Sequence, residues 1–201
     1  MALDQRGYFN ALRSHLNTEK YAVREVEDGR VVLKDKVYLP GAKDSIDQRV
    51  RLAVLGEALV IHLDRKNRNG NSDPLFHFLD DEAKPWSKRC DFVIFQFHRN
   101  AIRAYCIEFK SASLPESLVD QLRASEAWCR TLHSVIKHYT GEARRVGLTK
   151  YVLSCHPNPG PYLDIGGKYL QRDHTIRHYS YTEIDGMSLE DLDNTNIQLI
   201  G

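Results

Sequence analysis

The chain has no apolar run approaching the roughly 20 residues that a membrane-spanning helix needs. Its opening, MALDQRGYFN, carries no apolar signal core. Neither secretion nor membrane insertion is expected, and a cytoplasmic location is. Cysteine is scarce and scattered. Cys90, Cys106, Cys129 and Cys155 form no CxxC pair and no dense framework, which argues against a disulfide scaffold and against a zinc site. Each lies inside an apolar run and reads as a small buried hydrophobe in a reducing compartment. A charge excess is also missing. With 28 basic against 27 acidic residues the formal charge is +1, so any basic face has to be local. Arg65, Lys66 and Arg68 in one loop, and Arg144, Arg145 and Lys150 further on, are the candidates. They are either solvated surface charge or contacts to a nucleic-acid backbone. There is no internal repeat or low-complexity tract, and 201 residues suit one decorated domain.

What is present is a succession of short patterned segments. Leu12 and Leu16 share one face of a short amino-terminal helix. AVREV and RVVLKDKVYL flank a Glu-Asp-Gly turn and read as a hairpin. SIDQRVRLAVLGEALVIHL follows, with Ser45 and Gln48 spaced as a capping box and Val50, Val54 and Ile61 at helical spacing, so a helix is expected there. PLFHFL, CDFVIFQFH and AIRAYCIEFKSA read as three strands, the last two paired around Arg99 and Asn100. A second capping box, Ser113 and Glu116, opens a helix whose stripe runs through Leu118, Leu122, Cys129, Leu132 and Ile136 to Thr140 and Gly141. VGLTKYVLSC is a further strand, the proline-rich HPNPGPYLDIGG a loop, and HTIRHYSYTEI a strand in a small carboxy-terminal piece. A strand that returns through a helical crossover pairs in parallel, so the expected class is α/β with a mixed sheet flanked by helices.

Charged residues on such apolar strands require an explanation. Asp91 begins one strand, and Glu108 and Lys110 close the next. Alternation puts Glu108 and Lys110 on one face, with Ile107 and Phe109 on the other. An antiparallel hairpin can bring Asp91 beside them. Two carboxylates converging at a sheet end suit a hard divalent cation such as Mg2+ or Mn2+, and the Phe109 carbonyl could add a ligand. A lysine two residues on can orient a water and offset charge building on a phosphate. The alternative is a structural ion pair at a solvent-facing sheet edge. His174 and His178 are four apart but fall in a strand pattern, so a metal-hydrolase reading built on them is not favoured.

At these residues the chain resembles the PD-(D/E)XK nuclease superfamily, whose restriction-endonuclease-like core runs helix, three strands, helix, strand, with Asp and Glu-x-Lys on the second and third strands. The resemblance covers about residues 44 to 155, leaving 1–43 and 156–201 as extensions. The literal proline is absent, since Cys90 precedes Asp91. Membership implies a Mg2+- or Mn2+-dependent nuclease acting on DNA ahead of RNA, in phage defence, restriction or repair. It also implies a homodimer or a partner subunit to supply targeting. Family practice further assigns a metal-binding glutamate on the first core helix, for which Glu57 is placed, and a glutamine on the second helix, Gln121. The competing expectation is a catalytically silent member of the same fold that binds nucleic acid or a partner protein.

Overall fold

The structure, a computed structural model, describes residues 3–38, 44–66, 71–74, 76, 79, 80, 82, 84–111, 114, 115, 117–155 and 173–201. Helix α1 (Gln5–His15) starts where the Asp4 side chain accepts the Gly7 N–H at 2.6 Å, and it buries Tyr8, Phe9 and Leu12. A single turn α2 (Thr18–Tyr21) follows. The chain then makes a hairpin of β1 (Val26–Glu27) and β2 (Arg30–Tyr38), turning through Asp28 and Gly29 at φ 50° and 74°.

Residues 45–63 depart from the sequence reading. They form two strands, β3 (Ser45–Leu52) and β4 (Glu57–His62), and no helix. The helical spacing of Val50, Val54 and Ile61 coexists with a strand alternation in which Val50 and Leu52 face inward. The partner β2 supplies Leu33 and Val37 to the same layer through an antiparallel register running from Val31↔Leu52 to Tyr38↔Ser45. Gly56 breaks any helix at its centre. Its φ is +79°, and a Cβ there would run into the carbonyl oxygen of Phe97.

Strand β4 begins the main sheet and pairs with β5 (Phe92–His98), which pairs with β6 (Ala101–Lys110), both antiparallel. The β5–β6 turn is the expected Arg99–Asn100 pair, at φ 48° and 58°. The PLFHFL segment lies partly outside the described residues, and its described positions are not in a strand, so β4 takes its place as the first of the three strands. Helix α3 (Ser117–Thr140) buries Leu118, Leu122, Cys129 and Ile136 and ends at Gly141, which has φ +72° and donates its N–H to the Lys137 carbonyl at 2.9 Å. Its expected capping box, Ser113 with Glu116, lies outside the described residues, as does the loop 156–167. The helix crosses over to β7 (Val146–Ser154), which lies parallel to β6. Then β8 (Ile176–Ser180) pairs in parallel with the end of β7, α4 (Tyr181–Ile184) follows, and β9 (Gln198–Ile200) pairs antiparallel with the start of β7. The class is therefore α/β with a mixed sheet flanked by helices.

Both faces of the sheet are buried. One packs Val93, Phe95, Cys106 and Val152 against α1 and α3, and the other packs Phe92, Ile94, Ile107 and Tyr151 against β2, β3 and the chain after β8. Helix α1 thus belongs to the main core and is no appendage. All four cysteines are free thiols, and Cys90, Cys106 and Cys129 are buried. Among the described residues no helix is long and apolar enough to cross a membrane.

Candidate active site

The register that pairs Phe92 with Ile107 sets Asp91 opposite Glu108 at the next step. Because Val93 and Cys106 point to the helix-bearing face, alternation sends Asp91, Glu108 and Lys110 to that face too. The Asp91 carboxylate accepts the Phe109 N–H at 2.6 Å, and the Lys110 ammonium donates to Glu108. The N–H and C=O of one strand residue project to the same edge, so the Phe109 carbonyl faces the Asp91 side. Lys110 is held from behind: the Tyr181 hydroxyl donates to its carbonyl at 2.9 Å.

These acids are deeply enclosed. Asp91 is 8 % exposed and Glu108 1 %. Burial pushes the Glu108 carboxyl from its ordinary 4.5 up to about 8, against the opposing pull of Lys110. Burial also raises Asp91 well above the carboxylate range, and the neighbouring Glu108 and Asp35 charges add to it. For Lys110, burial works to lower the ammonium, but Glu108 outweighs it and the net shift is upward. Glu108 Oε2 is a buried oxygen without a hydrogen-bond partner.

Two further carboxylates lie within electrostatic reach of these groups, and sequence reading missed both. Asp64 follows β4, whose continuation is tied to Asp91 by the Leu63 N–H at 2.7 Å from the Asp91 carbonyl. It accepts from Ser72 at 2.6 Å and Lys66 at 2.7 Å, and lies 3.7 Å from the Arg89 guanidinium. Asp35, on β2, shares the inward frame of Leu33 and Val37. Burial raises its carboxyl, and it feels the charges of Asp64 and Lys110. The signal for Asp35 was its position in that alternation. The signal for Asp64 was hidden once residues 45–63 were read as helix.

The other expected site residues divide. Gln121 on α3 reaches toward the site, donating to the Arg89 carbonyl at 3.4 Å, and helps line a cleft of about 360 Å³ with Asp64, Arg89 and Lys110. Glu57 is elsewhere. It starts β4, opposite Phe97 at the far end of the β4–β5 ladder from Asp91, and forms ion pairs with Arg6 and Arg13 of α1. The expectation that it points to the cluster is corrected, because the helix that would have aimed it is a strand. Lys150 is corrected as a backbone contact. It is 2 % exposed, with Glu126 at 3.2 Å and Asp173 at 3.1 Å. Arg144 is half-buried and bonded to Glu142, Ala143 and Leu3, while Arg145 is exposed. Arg65 and Lys66 are exposed, Lys66 with Asp64 as partner, and Arg68 lies outside the described residues. His174 is exposed, and His178 Nε2 lies 2.7 Å from Ser154 Oγ.

Carboxylate oxygens, the donors a hard divalent cation takes, dominate this end of the sheet, and one of them lacks a hydrogen-bond partner. As they stand, no three His, Cys, Asp or Glu side chains among the described residues are gathered tightly enough to enclose an ion. One oxygen of Glu108 is held by Lys110, and one of Asp91 by Phe109. Comparison with protein-family models, curated proteins and solved structures finds no match to this chain.

Proposed function

We propose that the chain is a metal-dependent nuclease of the PD-(D/E)XK kind, hydrolysing phosphodiester bonds with Asp91, Glu108 and Lys110. The observation that carries this reading is the partnerless, buried Glu108 Oε2 beside Asp91 and Lys110 at the end of two adjacent strands. The order α1, β4–β6, α3, β7, with β7 parallel to β6, supports a restriction-endonuclease-like core in which α1 fills the place first given to residues 45–63.

On this reading Asp91, Glu108 and the Phe109 carbonyl would hold Mg2+ or Mn2+, with Asp64 and Asp35 adding negative charge nearby. When bound, the cation supplies a lowered pKa for water and charge neutralisation at a phosphate oxygen. Lys110 donates to Glu108 and would have to leave it for Glu108 to serve as a ligand. The lysine would then be placed to hold the attacking water by hydrogen bonding and to stabilise the additional negative charge on the phosphate. Gln121, along the adjoining cleft, would be placed to orient the phosphodiester toward that water.

A second reading, a silent protein of this fold, is favoured by one feature, the Lys110–Glu108 contact that closes the site. Nicking of a supercoiled plasmid in Mg2+, with EDTA and Asp91→Ala controls, separates the two. Nicking that both controls abolish is expected. Equal nicking by Asp91→Ala and the parent would remove the proposed site.

A further inference from the structure

A second cavity neighbours the cleft beside Lys110. Lys88 borders both that cleft and this cavity of about 510 Å³, which lies between the 3₁₀ turn Pro85–Ser87 and the first half of α3. Trp86 lines this outer cavity, with Phe76 and Pro85 from its own side and Arg123 from the helix. The indole is 38 % exposed, yet its orientation is fixed, since Nε1 donates to the Asp80 carbonyl at 2.8 Å. An indole held by its N–H at the wall of a cavity can serve as a stacking platform. Four cations line the two cavities, each beside a carboxylate of its own: Lys88 with Asp120, Arg89 with Asp64, Lys110 with Glu108 and Arg123 with Asp173.

We infer that the trough from Lys110 to Trp86 receives an unpaired nucleic-acid strand, with a base stacked on Trp86 and the adjoining phosphates carried past Lys88 toward Lys110. This rests on the nuclease reading and narrows it, making single-stranded or frayed strands the substrate class. An indole face can receive only a base that has left its own stack. A cavity of this size takes a nucleotide or two, as ligand pockets of several hundred Å³ do. Lys88 pairs with Asp120 at 2.9 Å, both side chains well exposed, so a phosphate can compete for the lysine at little cost. Arg123, 3.3 Å from Asp173, forms part of the outer wall.

The test uses the full chain in EDTA, where binding is read without cleavage. Trp86 and Trp128 are the two tryptophans, so Trp128→Phe leaves Trp86 as sole reporter. Oligothymidylate of about 20 nucleotides, longer than the roughly 4–16 that single-strand sites cover, should quench Trp86 emission, and a blunt duplex of equal length should bind at least about tenfold more weakly. In the parent background, Trp86→Ala should weaken oligothymidylate binding about tenfold, with Trp86→Phe recovering most of it. Lys88→Ala should lower the salt dependence of binding by about one phosphate. Unquenched emission, duplex binding as tight as the single strand, or parental affinity in Trp86→Ala would overturn the inference. None of these outcomes touches the nuclease reading, which fails instead if Asp91→Ala still cuts.

Discussion

At the scale of single residues the site is a problem of buried charge. Glu108 is nearly inaccessible, and its carboxyl is raised from 4.5 to about 8 by burial. Between those two values the folded chain binds a proton that the unfolded chain has released, so metal-free stability falls as pH rises through that window. Below the lower value nothing is lost. Glu108→Gln removes this dependence. In EDTA at about pH 8.5 it should melt above the parent, by roughly 2–4 °C for each kcal/mol recovered, with the gap closing near pH 5. Thermal melts at both pH values check this, and a gap of equal size at both would mean that the carboxyl titrates normally. Glu57 makes the converse case. Its exposed ion pairs with Arg6 and Arg13 lie at the far end of β4, so Glu57→Gln should leave nicking at the parent rate and cost less than about 1 kcal/mol in urea unfolding.

At the scale of elements, the two strands of the hairpin that brings Asp91 opposite Glu108 were the most legible. Their apolar runs, the Arg99–Asn100 turn and the offset of Asp91 from Glu108 and Lys110 all follow from alternation and turn chemistry. Helix α3 was equally legible from its stripe. Residues 45–63 were not. Three apolar residues at helical spacing gave the wrong period, while the partner that makes β3 a strand, β2, is contributed by a separate segment of chain. That single misreading displaced Glu57 and concealed Asp64, because both positions are set by β4. Gly56 is the discriminating residue between the two periods. Gly56→Ala would place a Cβ against the Phe97 carbonyl at a positive φ, and should destabilise by roughly 1–3 kcal/mol in chemical denaturation. A helix through this segment would instead gain from the alanine, so the sign of the change decides between them.

At the scale of the whole molecule, a mixed sheet buried on both faces fixes the ends of β5 and β6 while leaving one cleft open beside Lys110. The central claim is that Asp91 and Lys110 do different work at this fixed point: one holds the cation, the other acts on water and phosphate. Calorimetric Mn2+ titration of the parent, Asp91→Ala and Lys110→Ala, with nicking rates from the same preparations, tests it most directly. Asp91→Ala should lose both the site-specific heat and the nicking. Lys110→Ala should bind Mn2+ as tightly as the parent or more so, because a repelling charge is gone and Glu108 is freed, while its nicking falls roughly 100-fold or more. Parental nicking by Lys110→Ala, or undiminished Mn2+ binding by Asp91→Ala, would contradict the account.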